Sequence, residues 1–263
     1  MILDRFRLDG RVAIVTGAGR GIGAGIARAL AEVGADVAIG ARTQAELDEV
    51  ARSVRALGRR AVVVAGDLRA REGMQVLVER AVSELGRIDV VVNNAGGSMP
   101  RPFLQTSERF FNEAFHWNVS TAFNLTQLAV PHLLKAGGGS VINIASAAGR
   151  FRERGFSGYG TAKAALVALT ENLAADLAPR IRVNAIAPGA IETSALGMVL
   201  TDPAVQRRMV ELTPLARLGS VEDIAAAAVY LASEAASYVT GVVVDVGGGI
   251  RHSNFDMGIP DLG

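Results

Sequence analysis

The hydrophobic positions of the chain form two alternating patterns. Short, nearly continuous runs rich in β-branched residues recur along the sequence, as is typical of strands buried on both faces of a parallel sheet. Between the first six runs, apolar residues recur at spacings of three and four with charges on the opposite face, which predicts amphipathic helices. The predicted strands are VAIVT (12–16), DVAIG (36–40), AVVVAG (61–66), IDVVVN (88–93), SVINIA (140–145), IRVNAIA (181–187) and VVVDV (242–246).

The alternation of strands and helices predicts an α/β fold: a Rossmann-like, doubly wound parallel sheet of seven strands with helices on both faces. A length of 263 residues and a hydrophobic fraction of 50% are consistent with one compact domain over residues 1–263. Ligands of such sheets bind beyond the carboxyl ends of the strands. Functional residues are therefore expected in the segments that follow each strand.

Composition narrows the function classes. The 27 Lys and Arg residues nearly balance the 26 Asp and Glu residues, so there is no basic field for nucleic acid. The chain has no cysteine, and its histidines (His116, His132 and His252) lack ligand spacing, so no metal is expected. The first residues lack the apolar core of a signal peptide, and the longest apolar run, 225–232, is far shorter than the ~20 residues of a membrane helix. We expect a cytoplasmic protein that binds neither nucleic acid nor membrane.

The stretch TGAGRGIG (16–23) lies where the first strand meets a helix. The free N–H groups and positive dipole end of a helix N-terminus attract an anion, and glycines let backbone approach a pyrophosphate closely. A P-loop is excluded because no Lys-Ser/Thr pair follows these glycines. A turn chosen for chain geometry alone is the structural alternative. The predicted dinucleotide-binding residues of this loop are Gly17, Arg20, Gly21, Ile22 and Gly23.

The end of the second strand bears on the choice of cofactor. An acid at this position would accept hydrogen bonds from the ribose hydroxyls of NAD, but the sequence has Ala41 followed by Arg42. An arginine here can hold a 2′-phosphate, and Arg20 in the glycine loop can supply a second cation. We therefore expect NADP as the preferred cofactor, with NAD as the alternative. Ordinary solvated surface charges are the other interpretation of the two arginines.

Tyr159 and Lys163 are four residues apart in a predicted helix and so share one face. A phenol has a pKa near 10, too high for an efficient base at neutral pH, and we expect the neighbouring ammonium to lower it. Ser146 follows the fifth strand, and its hydroxyl can both donate to and accept from a substrate oxygen. A Tyr/Lys pair at this spacing is also common on helix surfaces, but with Ser146 it indicates acid–base chemistry.

Together and in this order, the motifs resemble the short-chain dehydrogenase/reductase family in its standard-length branch, over roughly residues 8 to 249. They are TGAGRGIG, Asp67-Leu68, NNAGG (93–97), Asn118, Ser146, Tyr159 with Lys163, and Pro188-Gly189 with Thr193. Within the family, NNAGGSMPRPF, APGAIETSAL and TPLARLG are most similar to bacterial hydroxysteroid dehydrogenases of the 7α type. Those typically carry Asp at the Ala41 position and use NAD.

The resemblance implies a role for each catalytic residue. Tyr159 would protonate a carbonyl oxygen as hydride arrives, or act as the base in reverse, while Ser146 holds that oxygen. Lys163 would lower the Tyr159 pKa and bind the nicotinamide ribose. Asn118 would help to hold a water that relays protons from Lys163 to solvent, or would only mend a helix irregularity.

The resemblance also implies the remaining cofactor contacts and the assembly. Asp67 and Leu68 would meet the adenine; the residues expected at the adenosine ribose are Asn94, Ala95 and Gly96, and those expected at the nicotinamide carboxamide are Pro188, Gly189, Ile191 and Thr193. Residues 190–212, rich in Leu, Met and Val, would form a substrate lid, or an amphipathic helix that packs on its own domain. The tail 250–263 would cover the active site or a neighbouring subunit, or be a poorly ordered end. The family favours a homotetramer.

The expected substrate is a small, largely apolar carbonyl compound or secondary alcohol, with a hydroxysteroid as the favoured class. Arg150, Arg152 and Arg154 follow the Ser146 strand and would suit an anionic substrate tail, which keeps reduction of a 3-oxoacyl thioester of acyl carrier protein or coenzyme A as an alternative; a solvated charge run is the other interpretation. A catalytically inactive dinucleotide-sensing regulator is the alternative of another class. The presence of Ser146, Tyr159 and Lys163 argues against a sensor.

Overall fold

The computed structural model describes residues 1–152, 154–199, 202–254 and 259. In this part of the chain, seven strands form one parallel sheet in the order β3-β2-β1-β4-β5-β6-β7, which confirms the predicted doubly wound fold. The strands are β1 (Val12–Thr16), β2 (Asp36–Ala41), β3 (Ala61–Ala65), β4 (Val90–Asn93), β5 (Gly139–Ile144), β6 (Ile181–Pro188) and β7 (Val243–Val246).

Helices cover both faces of the sheet. Buried residues of α1, α2 and α9 form the core on one face, and those of α3, α5 and α6 form the core on the other. None of the described helices has the length and hydropathy needed to cross a membrane. The helices are α1 (Gly21–Glu32), α2 (Gln44–Ala56), α3 (Arg71–Leu85), α4 (Glu108–Phe115), α5 (Thr121–Lys135), α6 (Ser157–Leu177), α7 (Ser194–Val199), α8 (Pro203–Glu211) and α9 (Val221–Ala232).

The expected burial of every strand on both faces is wrong for the two edge strands. All residues of β1 and β4 are buried, but β3 alternates between buried and more exposed positions, and none of the four residues of β7 is buried. Each edge strand has a single neighbour in the sheet. A continuous apolar run therefore identified the strands correctly without distinguishing the centre of the sheet from its edges.

Two buried aspartates hold the amino ends of neighbouring strands. Asp89 precedes β4, is 3% exposed, and accepts hydrogen bonds from Arg11, Arg87 and the Val12 amide of β1. Asp36 begins β2 and accepts from the amide and guanidinium of Arg60 and from Arg59. Burial by itself raises the pKa of Asp36, but these hydrogen bonds and positive charges outweigh it and lower the pKa below its ordinary value.

A buried row of polar side chains joins the sheet to the helices behind the site. The side-chain Nδ2 of Asn93 in β4 donates to Asn143 Oδ1 of β5 at 2.8 Å and to Thr126 Oγ1 of α5 at 3.0 Å. Asn143 Nδ2 in turn donates to Thr170 Oγ1 of α6 at 2.9 Å. A buried hydrogen-bond network of this kind favours one arrangement of the elements that it connects. It therefore sets the position of α6, which carries Tyr159 and Lys163, relative to β5.

Replacing Asp89 tests how much the hydrogen bonds that it accepts stabilise the fold. Asp89→Ala leaves the Val12 amide and two guanidinium groups without their shared acceptor, so we expect the free energy of unfolding to fall by about 2–3 kcal/mol. The measurement is urea denaturation followed by circular dichroism. Asp9→Ala breaks an ion pair to Arg7 in which both side chains are more than half exposed, and as the control it should leave the urea midpoint nearly unchanged. An equal loss of the free energy of unfolding in the two variants would contradict a stabilising role of Asp89.

Candidate active site

The predicted site residues meet at the carboxyl edge of the sheet, near the point where strand order reverses. β1 pairs with β2 on one side and with β4 on the other, so the segments after β1 and β4 leave the sheet in neighbouring positions. In open α/β sheets, such a switch point leaves a crevice for ligands.

The glycine loop has the backbone that a dinucleotide requires. Gly17 and Gly21 have φ values of 63° and 55°, in the left-handed region that favours glycine. Arg20 precedes α1 and makes no side-chain cap, and the first turn of α1 contains no acidic residue. The first N–H groups of α1 are therefore open to an anion at the positive end of the helix dipole. This uncapped, acid-free terminus fits the pyrophosphate of the expected cofactor.

Thr16 ties the glycine loop to the turn after β4. Its hydroxyl accepts hydrogen bonds from the amides of Asn94 and Ala95 at 3.1 and 3.0 Å. Asn94 Nδ2 donates back to the carbonyls of Thr16 and Gly17 at 2.9 and 3.2 Å. The sequence prediction missed Thr16, although its place as the last residue of a strand that leads into the glycine loop is a usable signal. The side chain of Asn94 thus supports the loop that would bind the cofactor.

Around the expected adenosine end of the cofactor, the structure adds Glu46, which the sequence analysis missed, to the predicted residues Arg20 and Arg42. Arg42 is exposed at the end of β2. Arg20 Nη1, expected to be free for a 2′-phosphate, lies 3.7 Å from Glu46 Oε1 in the first turn of α2. Leu68 is 3% exposed, whereas Asp67 is exposed and its carboxylate accepts the Arg69 amide at 3.0 Å.

The segment after β6 lies close to the first residue of α1. A methyl group placed on Gly189 would lie 2.7 Å from Gly247 Cα, so only glycine lets the ends of β6 and β7 approach this closely. A methyl group placed on Gly21 would lie 3.5 Å from Thr193 Cγ2. The segment predicted to contact the nicotinamide therefore lies beside the glycine loop. Pro188 and Ile191 are buried. The segment leads into α7 and α8, which lie within the predicted lid.

Ser146, Tyr159 and Lys163 lie together at the end of β5. The Ser146 hydroxyl lies close enough to the Tyr159 phenol to lower its pKa, and Ser146 Oγ accepts the Ala148 amide at 3.1 Å. Lys163 is 3% exposed, its Nζ donates to the Ile144 carbonyl at 2.7 Å, and it lies 5.8 Å from the centre of the Tyr159 ring. A methyl group on Gly149 would lie 2.7 Å from the Lys163 carbonyl carbon. The loop after β5 therefore packs directly on α6.

Asn118 lies in a π-helical turn, His116–Ser120, between α4 and α5. Its Nδ2 donates to Ala114 O at 2.8 Å and to Gly97 O at 3.2 Å, and its Oδ1 accepts the Gly97 amide at 2.8 Å. A methyl group on Gly96 would lie 2.6 Å from Asn118 Oδ1 and 3.2 Å from Lys163 Nζ. Asn118 therefore satisfies the irregular turn, and its Oδ1 and the lysine amine both lie close to the position that a Gly96 side chain would occupy.

The expected direction of the Tyr159 pKa shift is wrong. Burial raises the pKa of Tyr159 above its ordinary value of 10, and the hydrogen bond with Ser146 offsets this only in part. Burial also lowers the pKa of Lys163 to about 7. Because the amine is itself desolvated, it is a weaker source of positive charge than the spacing of the two residues suggested. At neutral pH Tyr159 is therefore a proton donor rather than a phenolate.

Two of the three arginines after β5 already have partners within the chain. Arg150 pairs with Asp245 at 3.4 Å, and Arg154 Nη1 donates to the Ile259 carbonyl at 2.8 Å. Arg152 is exposed. Asn254 Nδ2 donates to Thr213 Oγ1 at 3.0 Å, just after α8. The described parts of the tail therefore contact Thr213, just after the predicted lid, and the loop that carries Arg154; residues 255–258 and 260–263 lie outside the described residues.

Burial of Lys163 predicts a pH-dependent stability difference. Between the lowered pKa of about 7 and the ordinary value of 10.5, the unfolded chain holds a proton that the folded chain has lost. The free energy of unfolding rises with pH where the unfolded state binds more protons. The free energy of unfolding of wild type, relative to that of Lys163→Met, should therefore increase by up to about 1.4 kcal/mol per pH unit above pH 7.

Urea denaturation of both proteins at pH 7, 8 and 9 measures this difference. Lys135→Met, which replaces an exposed lysine of α5, is the control and should show no such trend. A wild-type minus Lys163→Met difference that stays constant over this range would show that the amine is not desolvated.

Comparison with known proteins adds to this geometry. The family model described as enoyl-(acyl carrier protein) reductase matches residues 17–251. An uncharacterized oxidoreductase of Mycobacterium tuberculosis is 55% identical over 263 residues, which is 100% of both chains. The 7α-hydroxysteroid dehydrogenase of Escherichia coli K12 is 41% identical over 253 residues, which is 95% of this chain and 98% of the relative.

Solved structures are similar over the same length. A 7α-hydroxysteroid dehydrogenase in complex with NADH and 7-oxo glycochenodeoxycholic acid has a TM-score of 0.91 and 41% identity, covering 94% of this chain and 96% of that one. A gluconate 5-dehydrogenase of Burkholderia cenocepacia in complex with NADP and tartrate has a TM-score of 0.89 and 34% identity, covering 95% and 98%. The chain therefore belongs to the short-chain dehydrogenase/reductase family, as its motifs indicated, and is an oxidoreductase of the kind that uses NAD(P).

Proposed function

We propose that the protein is an NADP(H)-dependent oxidoreductase that interconverts a carbonyl group and a secondary alcohol of a largely apolar substrate. The observation that carries the proposal is that three side chains meet at the end of β5: Ser146 interacts with the Tyr159 phenol, and the buried amine of Lys163 lies beside the phenol ring. A proton donor and a second hydroxyl are thereby directed to one place at the sheet edge, which is what protonation of a substrate oxygen requires.

Each catalytic side chain has one task in this scheme. NADP(H), when bound, supplies or accepts the hydride. Tyr159 donates its proton to the substrate oxygen, a role suited to a phenol whose pKa is raised by burial. Ser146 orients that oxygen through its hydroxyl, and the Ile144 carbonyl holds Lys163 next to Tyr159. We propose that Asn118, which lies with Lys163 beside Gly96, keeps the turn in which a proton-relay water would bind.

The preference for NADP(H) rests on residues of this chain, because solved relatives are bound to NADH and to NADP. Ala41 removes the acid that would bind the ribose hydroxyls of NAD, Arg42 is exposed beside it, and Arg20 lies at the start of α1. Two cations near the expected 2′ position support the phosphorylated cofactor.

A hydroxysteroid is the substrate class that we favour. The support is the 41% identity with a 7α-hydroxysteroid dehydrogenase over nearly the whole chain, together with a lid segment rich in apolar residues. Reduction of a 3-oxoacyl thioester is the second candidate. It is favoured by the exposed Arg152 after β5 and by the 35% identity over 245 residues with a 3-oxoacyl-[acyl-carrier-protein] reductase of Thermotoga maritima.

Two expectations from the sequence stay predictions. The homotetramer is supported by the partly exposed aromatic side chains Phe115 of α4 and Phe123 of α5, at 39% and 42% exposure, and light scattering of the purified protein would test it. The cytoplasmic location likewise stays a prediction.

Removal of the phenol hydroxyl tests the mechanism. Tyr159→Phe should lower kcat/KM by about 10²–10⁴-fold, the usual contribution of a positioned acid, while cofactor affinity by fluorescence titration stays within about threefold of wild type. Tyr238→Phe, at a fully exposed tyrosine, is the control and should turn over at the wild-type rate. Undiminished activity of Tyr159→Phe would reject the proposed acid.

The same assay discriminates between the substrates and between the function classes. Wild type is offered steroid ketones, 3-oxoacyl thioesters, small diketones and quinones, with oxidation of NADPH followed by absorbance. Turnover of a steroid ketone with the highest kcat/KM supports the favoured substrate, whereas preference for a 3-oxoacyl thioester supports the second candidate. A protein that binds NADPH but oxidises none of it with any ketone would be a sensor.

The cofactor preference has its own test. Wild type should show a higher kcat/KM with NADPH than with NADH, and Arg42→Gln should lower the NADPH value by about tenfold with little change for NADH, since one charged hydrogen-bond donor is lost. Arg52→Gln, an exposed arginine further along α2, is the matched control. Wild-type preference for NADH by more than about tenfold would contradict the proposal.

A further inference from the structure

Glu46 lies at the place where the cofactors differ. A methyl group placed on Gly19 would lie 2.8 Å from Glu46 Oε2 and 3.5 Å from Ala41 Cβ. The carboxylate therefore lies against the glycine loop and close to the end of β2, the position from which an acid commonly reaches the adenosine ribose. In this chain the end of β2 has no acid, and α2 brings one to the same neighbourhood.

The same carboxylate engages a cation that a 2′-phosphate would need. Arg20 Nη1 is 3.7 Å from Glu46 Oε1, and the Glu46 side chain is 35% exposed. A dianionic phosphate near this pair would be attracted by Arg20 but repelled by Glu46. An unphosphorylated ribose would meet no such repulsion, and its hydroxyls can donate to a carboxylate.

A purely structural role for Glu46 is disfavoured by a contrast within the molecule. The sequence Thr43-x-x-Glu46 has the pattern of a capping box. At α9, the same kind of pattern forms a complete box between Ser220 and Asp223. At α2, Thr43 makes no side-chain cap, and the Glu46 carboxylate lies beside Arg20 instead.

We propose that Glu46 is a cofactor-specificity residue that restrains the use of NADP(H) by competing with the 2′-phosphate for Arg20. The inference rests on the proposed function, because it assumes that an adenosine cofactor binds at the glycine loop. It adds that the preference set by Arg20 and Arg42 is smaller than the two arginines alone would produce. Neutralising Glu46 strengthens binding of the phosphorylated form relative to the unphosphorylated one.

The test is a calorimetric titration with two probes that differ only in the 2′-phosphate, adenosine 5′-monophosphate and adenosine 2′,5′-bisphosphate. Glu46→Gln should improve the affinity ratio in favour of the bisphosphate by about fivefold or more at low ionic strength, and the gain should shrink at high salt, where partly exposed charges are screened. Glu49→Gln removes an equal charge one turn further along α2, at an exposed position, and should change the ratio less than about twofold.

A second background tests whether Arg20 is the competed group. In Arg20→Gln, the further change Glu46→Gln should alter the ratio by less than half of its effect in wild type, because contacting residues couple in a double-mutant cycle. An effect of the same size in both backgrounds would overturn the competition for Arg20. Thermal unfolding of each variant, followed by circular dichroism, shows whether α2 stays folded.

The outcomes separate the two proposals. If wild type binds both probes but Glu46→Gln leaves their ratio within twofold, or if Glu49→Gln shifts it equally, the role of Glu46 is wrong and the oxidoreductase proposal stands. If wild type binds neither probe, the dinucleotide site itself is wrong, and the inference about Glu46 is overturned with it.

Discussion

The active site depends on a hydrogen bond between a buried amine and the last carbonyl of a central strand. Lys163 Nζ donates to the Ile144 carbonyl at 2.7 Å, and the side chain is almost fully removed from solvent. This contact joins α6 to the carboxyl end of β5. Because Tyr159 lies one turn before Lys163 on the same helix and Ser146 lies two residues after Ile144, the same contact brings the phenol to the serine hydroxyl.

Several small residues permit this close packing. Gly149 lies against the backbone of α6, and a side chain on Gly96 would collide with Asn118 Oδ1 and crowd the Lys163 amine. The row of hydrogen bonds from Asn93 through Asn143 to Thr170 prevents α6 from sliding along the sheet. The catalytic geometry is thus produced by the core beneath the site as much as by the catalytic residues themselves.

Elsewhere the fold surrounds its buried charges with hydrogen-bond partners, whereas the site contains an open helix N-terminus and a desolvated amine. Asp36 and Asp89 are buried with full sets of donors, and α9 begins with a complete capping box. In contrast, α1 begins without a side-chain cap, and burial lowers the pKa of Lys163 to about 7. Local departures from the rules of stability are expected where a protein binds charged ligands and moves protons.

The sequence alone determined the order of strands and helices, the doubly wound sheet, the glycine loop and the spacing of Tyr159 and Lys163, because these follow from local periodicity and from residues close together in the chain. It did not distinguish edge strands from central ones, since burial depends on neighbours distant in sequence. It also missed Thr16 and Glu46, whose contacts are made with Asn94 after β4 and with Arg20 before α1. The direction of the Tyr159 pKa was wrong for the same reason: spacing shows which groups are adjacent, but only the packed structure decides how much water each one keeps.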